Sequence, residues 1–323
     1  MSAPDVCIRA IRYALARRSQ SLAELAAGGQ LQSSAELMRR FGFEQVHVAT
    51  DESPFDLALE AGRTLLEEER IDPDSVDLLI HGGVPGPLGF EPAAGCWDTG
   101  TAARTTARFK YPATRLAYEL GLTNAGVFGL SQLACTTLFS AVRIARGMCH
   151  AGDTRRVLCI NSEFYPPDSG RETLFNCTSD AAVALLVEQG GERLVVRGSS
   201  QITKGYYWDC DALRNEIVAS YFPTSRYAVQ QVLADAGWDS ADVDWVIPHN
   251  VSRRSWDVLM GLLQLPNAAL WADNIARNGH TLAGDNFINL ADAIAAGQID
   301  RGDKLLLFSY GYGAHWTALA VEA

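Results

Sequence analysis

The chain has 323 residues, of which 48% are hydrophobic and 20% charged, and its formal net charge is −11. This composition is typical of a globular protein with one large or two ordinary domains. The negative charge argues against nucleic acid as a partner, and no apolar run reaches the roughly 18–20 residues that span a bilayer. The odd number of cysteines, seven, includes no CxxC pair, so we expect neither a disulfide framework nor a metal site. With no signal-peptide pattern at the N-terminus, the sequence predicts a cytoplasmic protein.

Two segments of the chain are repeated in the same order. Residues 74–81 (DSVDLLIH) are echoed by residues 241–248 (ADVDWVIP), and each follows a helical pattern, at about 55–69 and about 225–236. Residues 151–160 are echoed by residues 301–308, where Gly-Asp precedes an apolar strand in both cases. Such echoes are common in α/β proteins, but two in order favour a duplicated α/β plan with mostly parallel central strands. We expect the seam near residues 188–193, which divides the chain into halves 1–190 and 191–323.

Two stretches are predicted to be irregular. Residues 82–110 are rich in glycine and proline and read as a long loop that carries Trp97, Arg104 and Arg108. Residues 202–221 carry Tyr206, Tyr207 and Trp208. These aromatic side chains are candidates for a substrate-tunnel wall, and packing is the alternative.

Cys135 is the candidate nucleophile. Residues 128–133 lead to Ala134-Cys135-Thr136, and an amphipathic helix pattern follows directly. At a helix N-terminus, unpaired N–H groups and the helix dipole favour a thiolate, which attacks or anchors a thioester. The alternative is a small buried hydrophobe, as most free cysteines are.

Three later features lie at predicted turns. His249 ends the apolar strand of residues 246–248, where the ligands of open α/β sheets gather, and His280 stands in a turn before a helix. A strand-end histidine can also be purely structural. Residues 309–316 (SYGYGAHW) form a glycine-rich turn that suits an oxyanion hole or a tight hairpin.

Together these pieces resemble the thiolase-like, ketoacyl synthase III-type condensing enzymes over nearly the whole chain. Arg40-Phe-Gly-Phe-Glu is similar to the family's Arg-Thr-Gly-Ile segment, and Ala134-Cys135 to its nucleophile region. Pro248-His249 resembles the Pro-His motif, Gly279-His280-Thr281 the Gly-Asn-Thr motif, and Tyr310-Gly-Tyr-Gly313 with Trp316 the closing glycine loop. The resemblance implies a five-layer αβαβα fold of two pseudo-duplicated halves.

The resemblance also implies roles for these residues. Cys135 takes an acyl group from a thioester, His249 tunes the thiolate and assists the second half-reaction, and the N–H groups of Cys135 and Tyr312 form the oxyanion hole. The enzymes of this family are usually homodimers without a bound cofactor or metal. They draw acyl groups from coenzyme A or from the phosphopantetheine arm of an acyl carrier protein.

Two departures from the family pattern limit this inference. His280 replaces the family's asparagine, and Asp285 lies close enough in sequence to orient it. Related elongating ketosynthases condense with a Cys-His-His set, whereas members that lack the asparagine often acylate oxygen or nitrogen. Arg40 fits the family's adenine-binding arginine, but Glu36 stands about where a tryptophan is expected, which favours a carrier-protein donor. Arg254, beside Arg253, matches a basic residue that meets acidic carriers, and a solvated helix face is the alternative.

The sequence therefore predicts an acyltransferase of the ketoacyl synthase III type that works by ping-pong through a Cys135 thioester. We expect it in a specialised, polyketide or fatty-acid-like pathway. Decarboxylative carbon–carbon condensation is slightly favoured over ester or amide formation. A non-catalytic partner subunit of a heteromeric complex is the alternative from another class. The substrate-contacting residues are predicted to be Arg40, Arg254, Trp97 and Trp208, with Cys135, His249 and His280 performing the chemistry.

Overall fold

The computed structural model describes residues 4–84, 111–165, 169–174, 176–266 and 268–323. In chain order the elements are β1 (Val6–Leu15), β2 (Arg18–Ser21), α1 (Leu22–Ala27), α2 (Ala35–Arg40), β3 (Gln45–Val48), α3 (Pro54–Glu68), β4 (Leu78–Val84), α4 (Pro112–Glu119), β5 (Gly126–Leu130), α5 (Thr137–Ala151), β6 (Arg156–Glu163), β7 (Glu172–Thr173), β8 (Asn176–Cys177), β9 (Ala181–Gln189), β10 (Val195–Thr203), α6 (Arg214–Ala236), β11 (Trp245–Pro248), α7 (Arg253–Leu263), β12 (Ala269–Leu270), α8 (Asn274–Asn278), α9 (Asp285–Ala295), β13 (Lys304–Gly311) and β14 (His315–Glu322).

The large sheet contains the same five-strand arrangement twice. Its strand order is β12-β11-β13-β14-β10-β1-β9-β6-β4-β5. In the first half β5, β4 and β6 are parallel, and β9 and β1 follow antiparallel. In the second half β12, β11 and β13 are parallel, and β14 and β10 follow antiparallel. The expectation of mostly parallel strands therefore holds for three strands of each half, while the duplicated plan is confirmed.

The second aspartate of each repeated segment, DSVD at 74–77 and ADVD at 241–244, has the same structural task in both halves. The carboxylate of Asp77 accepts hydrogen bonds from the backbone N–H groups of Arg155 and Arg156, at 2.7 and 2.9 Å. The carboxylate of Asp244 accepts from the backbone N–H of Lys304 at 2.8 Å. In each half the second aspartate thus fixes the first residues of the neighbouring strand. The boundary between residues 190 and 191 stays a prediction.

The buried apolar side chains of the described chain form three clusters, which alternate with the two half-sheets. One cluster lies under α3 and α4, a second surrounds α5 and α9, and a third lies under α6 and α7. The central helices meet through Phe139 and Phe287, whose ring centroids are 5.4 Å apart. The order of layers is therefore helix, sheet, helix, sheet, helix, as the five-layer prediction requires.

Local sequence signals predict the start of the outer helix α3 correctly and the start of the outer helix α6 wrongly. Ser53 caps α3 in a capping box with Asp56, and Pro54 occupies the first turn, close to the predicted start. Helix α6 was expected from about Ser225, but it begins at Arg214 and continues through Pro223. The predicted irregular stretch of residues 202–221 is therefore wrong for its first two residues, which end β10, and for its last eight, which lie in α6. The helix continues because a proline inside a packed helix costs less than the burial of the whole helix returns.

Candidate active site

Cys135 lies in a strained turn at the start of a central helix. It is the middle residue of a 3₁₀ turn, Ala134–Thr136, that leads directly into α5, and it is 5% exposed. Gln132 and Ala134 have φ angles of +64° and +44°, in the left-handed region that costs a side-chain-bearing residue about 1–3 kcal/mol. The hydroxyl of Thr137 donates to the carbonyl of Ala134 at 2.7 Å and supports the turn. The predicted position of Cys135 at a helix N-terminus is thus what the structure has.

The second half repeats this turn and brings a histidine to the cysteine. Leu282 has a φ of +55° and opens a second 3₁₀ turn, Leu282–Gly284, before α9. The two turns pack against each other. As a result, Nε2 of His280 lies 3.5 Å from Sγ of Cys135, although the two residues are 145 positions apart in the chain.

Asp285 holds His280 in one orientation. Its Oδ2 lies 2.5 Å from Nδ1 of His280 and accepts the backbone N–H of Asn250 at 2.5 Å. Its Oδ1 accepts the backbone N–H and the hydroxyl of Thr281 at 2.6 and 2.7 Å. Three of these four contacts come from N–H or O–H donors, which is the environment of a carboxylate, and a carboxylate oxygen only accepts. Nδ1 of His280 therefore carries a proton, and Nε2 is directed to the sulfur.

The charge on Asp285 also determines the protonation of His280. Burial lowers the pKa of His280, but the Asp285 carboxylate and the Cys135 sulfur outweigh burial and raise the pKa well above its usual value. A histidine protonated near neutral pH stabilises a thiolate at Cys135. Cys135, His280 and Asp285 therefore form a nucleophile, base and orienting carboxylate in one hydrogen-bonded line.

His249 is present in a different state. It directly follows β11, and its Nδ1 lies 3.2 Å from the carbonyl oxygen of Phe308. A carbonyl only accepts, so Nδ1 carries the proton. Burial, followed by the charge of His280, lowers the pKa of His249 to about 4, and the imidazole is neutral near pH 7. Its Nε2 is buried without a hydrogen-bond partner in the part of the chain that the structure describes, so it presents a bare lone pair.

Comparisons with known proteins identify the family of the chain. Residues 233–323 match the family model for the C-terminal part of 3-oxoacyl-[acyl-carrier-protein] synthase III. The β-ketoacyl-[acyl-carrier-protein] synthase III 2 of Streptomyces coelicolor is 32% identical over 240 residues, which cover 68% of this chain and 71% of the relative. The chain belongs to the β-ketoacyl-[acyl-carrier-protein] synthase III family. It is an acyltransferase of the ketoacyl synthase III type.

Solved structures show the same fold at lower identity. The synthase III of Aquifex aeolicus superposes with a TM-score of 0.80 at 22% identity, covering 98% of this chain and all of that one. ChlB3, described as an acyltransferase, superposes with a TM-score of 0.82 at 18% identity, covering 99% and 98% of the two chains. The thiolase-like fold of this ketoacyl synthase III-type enzyme is thereby confirmed.

One cavity of about 350 Å³ contains all three predicted chemistry residues of this synthase III-type enzyme. Cys135, His249 and His280 line it. Most of its remaining wall is apolar or aromatic and includes Phe41, Tyr165, Leu174, Ile217, Val218, Tyr221, Phe222, Val251, Val258, Leu282, Tyr310 and Tyr312. Such a wall suits an acyl chain, with the sulfur at its polar end.

The other predicted contact residues are only partly gathered here. Arg254 lines the cavity, with its side chain on the exposed face of α7. Arg40 does not line it and instead pairs with Glu36 at 2.5 Å, both side chains being more than 70% exposed. Trp208 is 79% exposed and is not part of the cavity wall. Trp97 lies outside the described residues, as do Arg104 and Arg108.

The glycine loop is both a hairpin and a close neighbour of the nucleophile. Residues 312–314 connect β13 to β14, and Gly311 forms the last pair of that hairpin with His315. A Cβ atom on Gly311 would lie 2.7 Å from the carbonyl oxygen of Leu133 and 3.2 Å from the backbone nitrogen of Cys135. Only glycine allows this approach. The predicted role of the Tyr312 N–H in an oxyanion hole is compatible with this position and stays a prediction.

Sequence reasoning missed the polar residues at the start of α9. Asn286 and Asn289 are fully buried and donate to backbone carbonyls beside His249. Two amides and one carboxylate within five residues of a predicted core helix were the available signal. No group of three or more histidine, cysteine or acidic side chains among the described residues is arranged to hold a metal ion, and no described helix is long and apolar enough to cross a membrane.

Proposed function

We propose that this enzyme transfers an acyl group from a phosphopantetheine thioester, through a Cys135 thioester, to a hydroxyl or amine, forming an ester or an amide. One observation carries the choice of acceptor: the bare Nε2 of His249 beside the Cys135–His280–Asp285 line. The sequence slightly favours decarboxylative condensation, and this geometry reverses that preference.

In the first half-reaction the Cys135 thiolate attacks the carbonyl carbon of the donor thioester. The tetrahedral intermediate collapses as the bond from carbon to the donor sulfur breaks, and Nε2–H of His280 gives its proton to the departing thiolate. The products are the acyl-Cys135 thioester, a free pantetheine thiol and a neutral His280. Asp285 keeps the remaining proton of that histidine on Nδ1.

In the second half-reaction the acceptor attacks the acyl-Cys135 thioester. Nε2 of His280, now bare and adjacent to the sulfur, takes the proton of the attacking O–H or N–H group, and the Cys135 thiolate leaves. His249 is too weak a base for this step, because its pKa is about 4. Its lone pair at Nε2 accepts a hydrogen bond from the acceptor and orients it.

Decarboxylative condensation needs a different pair of groups. The enolate formed from a malonyl thioester carries its charge on oxygen, which two convergent N–H donors stabilise. Neutral His249 has its proton on the Phe308 side and offers no N–H at Nε2. His280 alone supplies one donor, and an attacking enolate carbon has no proton to surrender, so the His280 base would be unused.

The test measures where the acyl group is attached before and after an acceptor is added. The protein is incubated with an acyl thioester, the Cys135 adduct is measured by intact-mass spectrometry, and the isolated acyl-enzyme is offered a hydroxyl or amine acceptor or malonyl carrier. Ester or amide formation without carbon dioxide supports the proposal. Carbon dioxide release with a carbon–carbon product supports the condensing alternative. Absence of an adduct, or an adduct that survives Cys135→Ala, leaves the partner-subunit hypothesis.

The donor carrier is an acyl carrier protein in this account. Arg254 lines the cavity and is exposed on α7, so a positive charge adjoins the site of an acidic protein, while its neighbour Arg253 pairs with Asp257 at 3.4 Å. Arg254→Glu should slow acylation by acyl carrier several-fold, more at low salt than at high salt, while acylation by a short pantetheine thioester is unchanged. Arg301→Glu, which reverses an 82% exposed arginine away from the cavity, is the matched control.

A homodimer is supported by the sheet edge. Among the residues that the structure describes, strand β5 ends the order of strands, and Phe128 in it is 43% exposed. An unpaired apolar edge strand is a template for a second copy of the chain. Phe128→Lys should shift the molar mass measured by light scattering from dimer to monomer, whereas Tyr227→Lys, at a 54% exposed position on α6, should not. A wild-type monomer contradicts this part of the proposal.

A further inference from the structure

The start of α9 controls both histidines through buried polar side chains. Asp285 holds His280, as described above. The next residue, Asn286, is 1% exposed, and its Nδ2 donates to the carbonyl oxygens of Ile247 at 2.8 Å and Phe308 at 2.9 Å. Those two carbonyls belong to the neighbouring parallel strands β11 and β13, with Ile247 one residue before the end of β11 and Phe308 inside β13.

The carbonyl of Phe308 is shared between Asn286 and His249. It accepts from Nδ2 of Asn286 at 2.9 Å and from Nδ1 of His249 at 3.2 Å. Strand β13 sets the direction of this carbonyl, and the amide of Asn286 occupies one of its two lone pairs beside His249. The carbonyl in turn selects the tautomer of His249, because a ring nitrogen beside it must carry a proton. A chain of two hydrogen bonds therefore connects Asn286 to the bare Nε2 in the cavity.

We propose that Asn286 is a positioning residue that sets the tautomer of His249 and thereby the chemical class of the acyl acceptor. With Nδ1 protonated, His249 accepts at Nε2 and recognises a group that bears a proton, a hydroxyl or an amine. With the other tautomer it would donate at Nε2 and recognise a thioester carbonyl. The effect of Asn286 on the choice of acceptor rests on the proposed function, whereas the tautomer of His249 is a property of the free protein.

Asn289 offers a matched control on the same helix. It is equally buried, and its Nδ2 donates to the carbonyl of Pro248 and to the side-chain oxygen of Asn250, both at 2.8 Å. It does not contact the carbonyl of Phe308. Replacement of either asparagine by leucine removes a similar amount of buried hydrogen bonding, so a purely structural role predicts similar effects of the two changes.

The test has a spectroscopic arm and a kinetic arm. Isotope-edited nitrogen NMR of labelled histidine, assigned with His249→Gln, reads which ring nitrogen of His249 carries the proton. Wild type and Asn289→Leu should show protonated Nδ1, and Asn286→Leu a mixture of both tautomers. Transfer from preformed acyl-enzyme to a hydroxyl or amine should fall at least about tenfold in Asn286→Leu, since a wrong tautomer costs up to about 10⁴-fold in a triad hydrolase. Its self-acylation should stay within about twofold of wild type.

Several outcomes would overturn the inference. The inference is wrong if His249 of the wild-type protein is protonated at Nε2. This result needs no variant, so the inference stays testable even if Asn286→Leu does not fold. The inference is also wrong if Asn286→Leu leaves the tautomer of His249 unchanged, or if Asn289→Leu changes that tautomer as much as Asn286→Leu does. If the tautomer responds as expected but the acyl-enzyme acylates neither oxygen nor nitrogen, the proposed function fails while the positioning role stands.

Discussion

Asp285→Asn is the sharpest single perturbation of the proposed site. The change keeps the shape of the side chain but replaces an acceptor oxygen by an NH₂ donor. In the wild type all four partners of the carboxylate are donors: the ring of His280, the backbone of Asn250, and the backbone and hydroxyl of Thr281. An amide can serve two of them at most. If its NH₂ faces His280, the proton moves to Nε2 and the base is lost.

The expected magnitude follows from the tautomer and the charge. Loss of the carboxylate leaves burial as the main influence on the pKa of His280, so that pKa falls and the imidazolium beside Cys135 is lost near neutral pH. We expect self-acylation to slow by about 10³-fold, equivalent to about 4 kcal/mol.

The assay is single-turnover acylation followed by intact-mass spectrometry across a pH series. Asp292→Asn is the control, because Asp292 lies on the same helix and accepts from Tyr13 and Asn274, both at 2.7 Å, away from the cavity. Acylation of Asp285→Asn within threefold of wild type, or an equal loss in Asp292→Asn, would refute the reasoning.

Three further predictions concern the glycine loop and the buried charges. Gly311→Ala should reduce the rate of Cys135 acylation about a hundredfold, as loss of an oxyanion donor does, because the new Cβ would lie 2.7 Å from a backbone oxygen. Gly261→Ala, which places a Cβ in open space, should leave the rate unchanged. Burial lowers the pKa of His81 to about 4, below its value in the unfolded chain. The free energy of unfolding should therefore decrease by about 3 kcal/mol as the pH falls from about 6.5 towards 4. In urea titrations at several pH values, His81→Leu should reduce this pH dependence, and an unchanged dependence contradicts the prediction. Arg171→Met leaves the buried Asp180 carboxylate without its bidentate partner, which donates at 2.7 and 3.0 Å. The free energy of unfolding should decrease by about 3–5 kcal/mol, and a decrease of less than about 1 kcal/mol would contradict this prediction.

The sequence predicted most of what local patterns encode. The two repeated segments hold equivalent strand starts through Asp77 and Asp244, and the turn before Cys135 lies where the helix signal placed it. These features depend on short-range patterns of apolar and capping residues, which a sequence displays directly. The orienting partner of His280, Asp285, was within reach because it lies five residues along the chain.

Features that depend on side-chain direction could not be predicted. Trp208 looked like a tunnel wall, but its side chain points to solvent, and Arg40 is engaged with Glu36 on the surface. The state of His249 depends on the carbonyl of Phe308, which is 59 residues away, and on Asn286. No periodicity in the sequence indicates a contact between a helix side chain and a carbonyl inside a strand.

The most direct test of the central claim is the fate of an isolated acyl-Cys135 enzyme. The acyl-enzyme is divided between a hydroxyl or amine acceptor and malonyl carrier, and products and carbon dioxide are measured together. We predict loss of the Cys135 adduct with stoichiometric ester or amide, and no carbon dioxide above that of Cys135→Ala. A carbon–carbon product with one equivalent of carbon dioxide would contradict it.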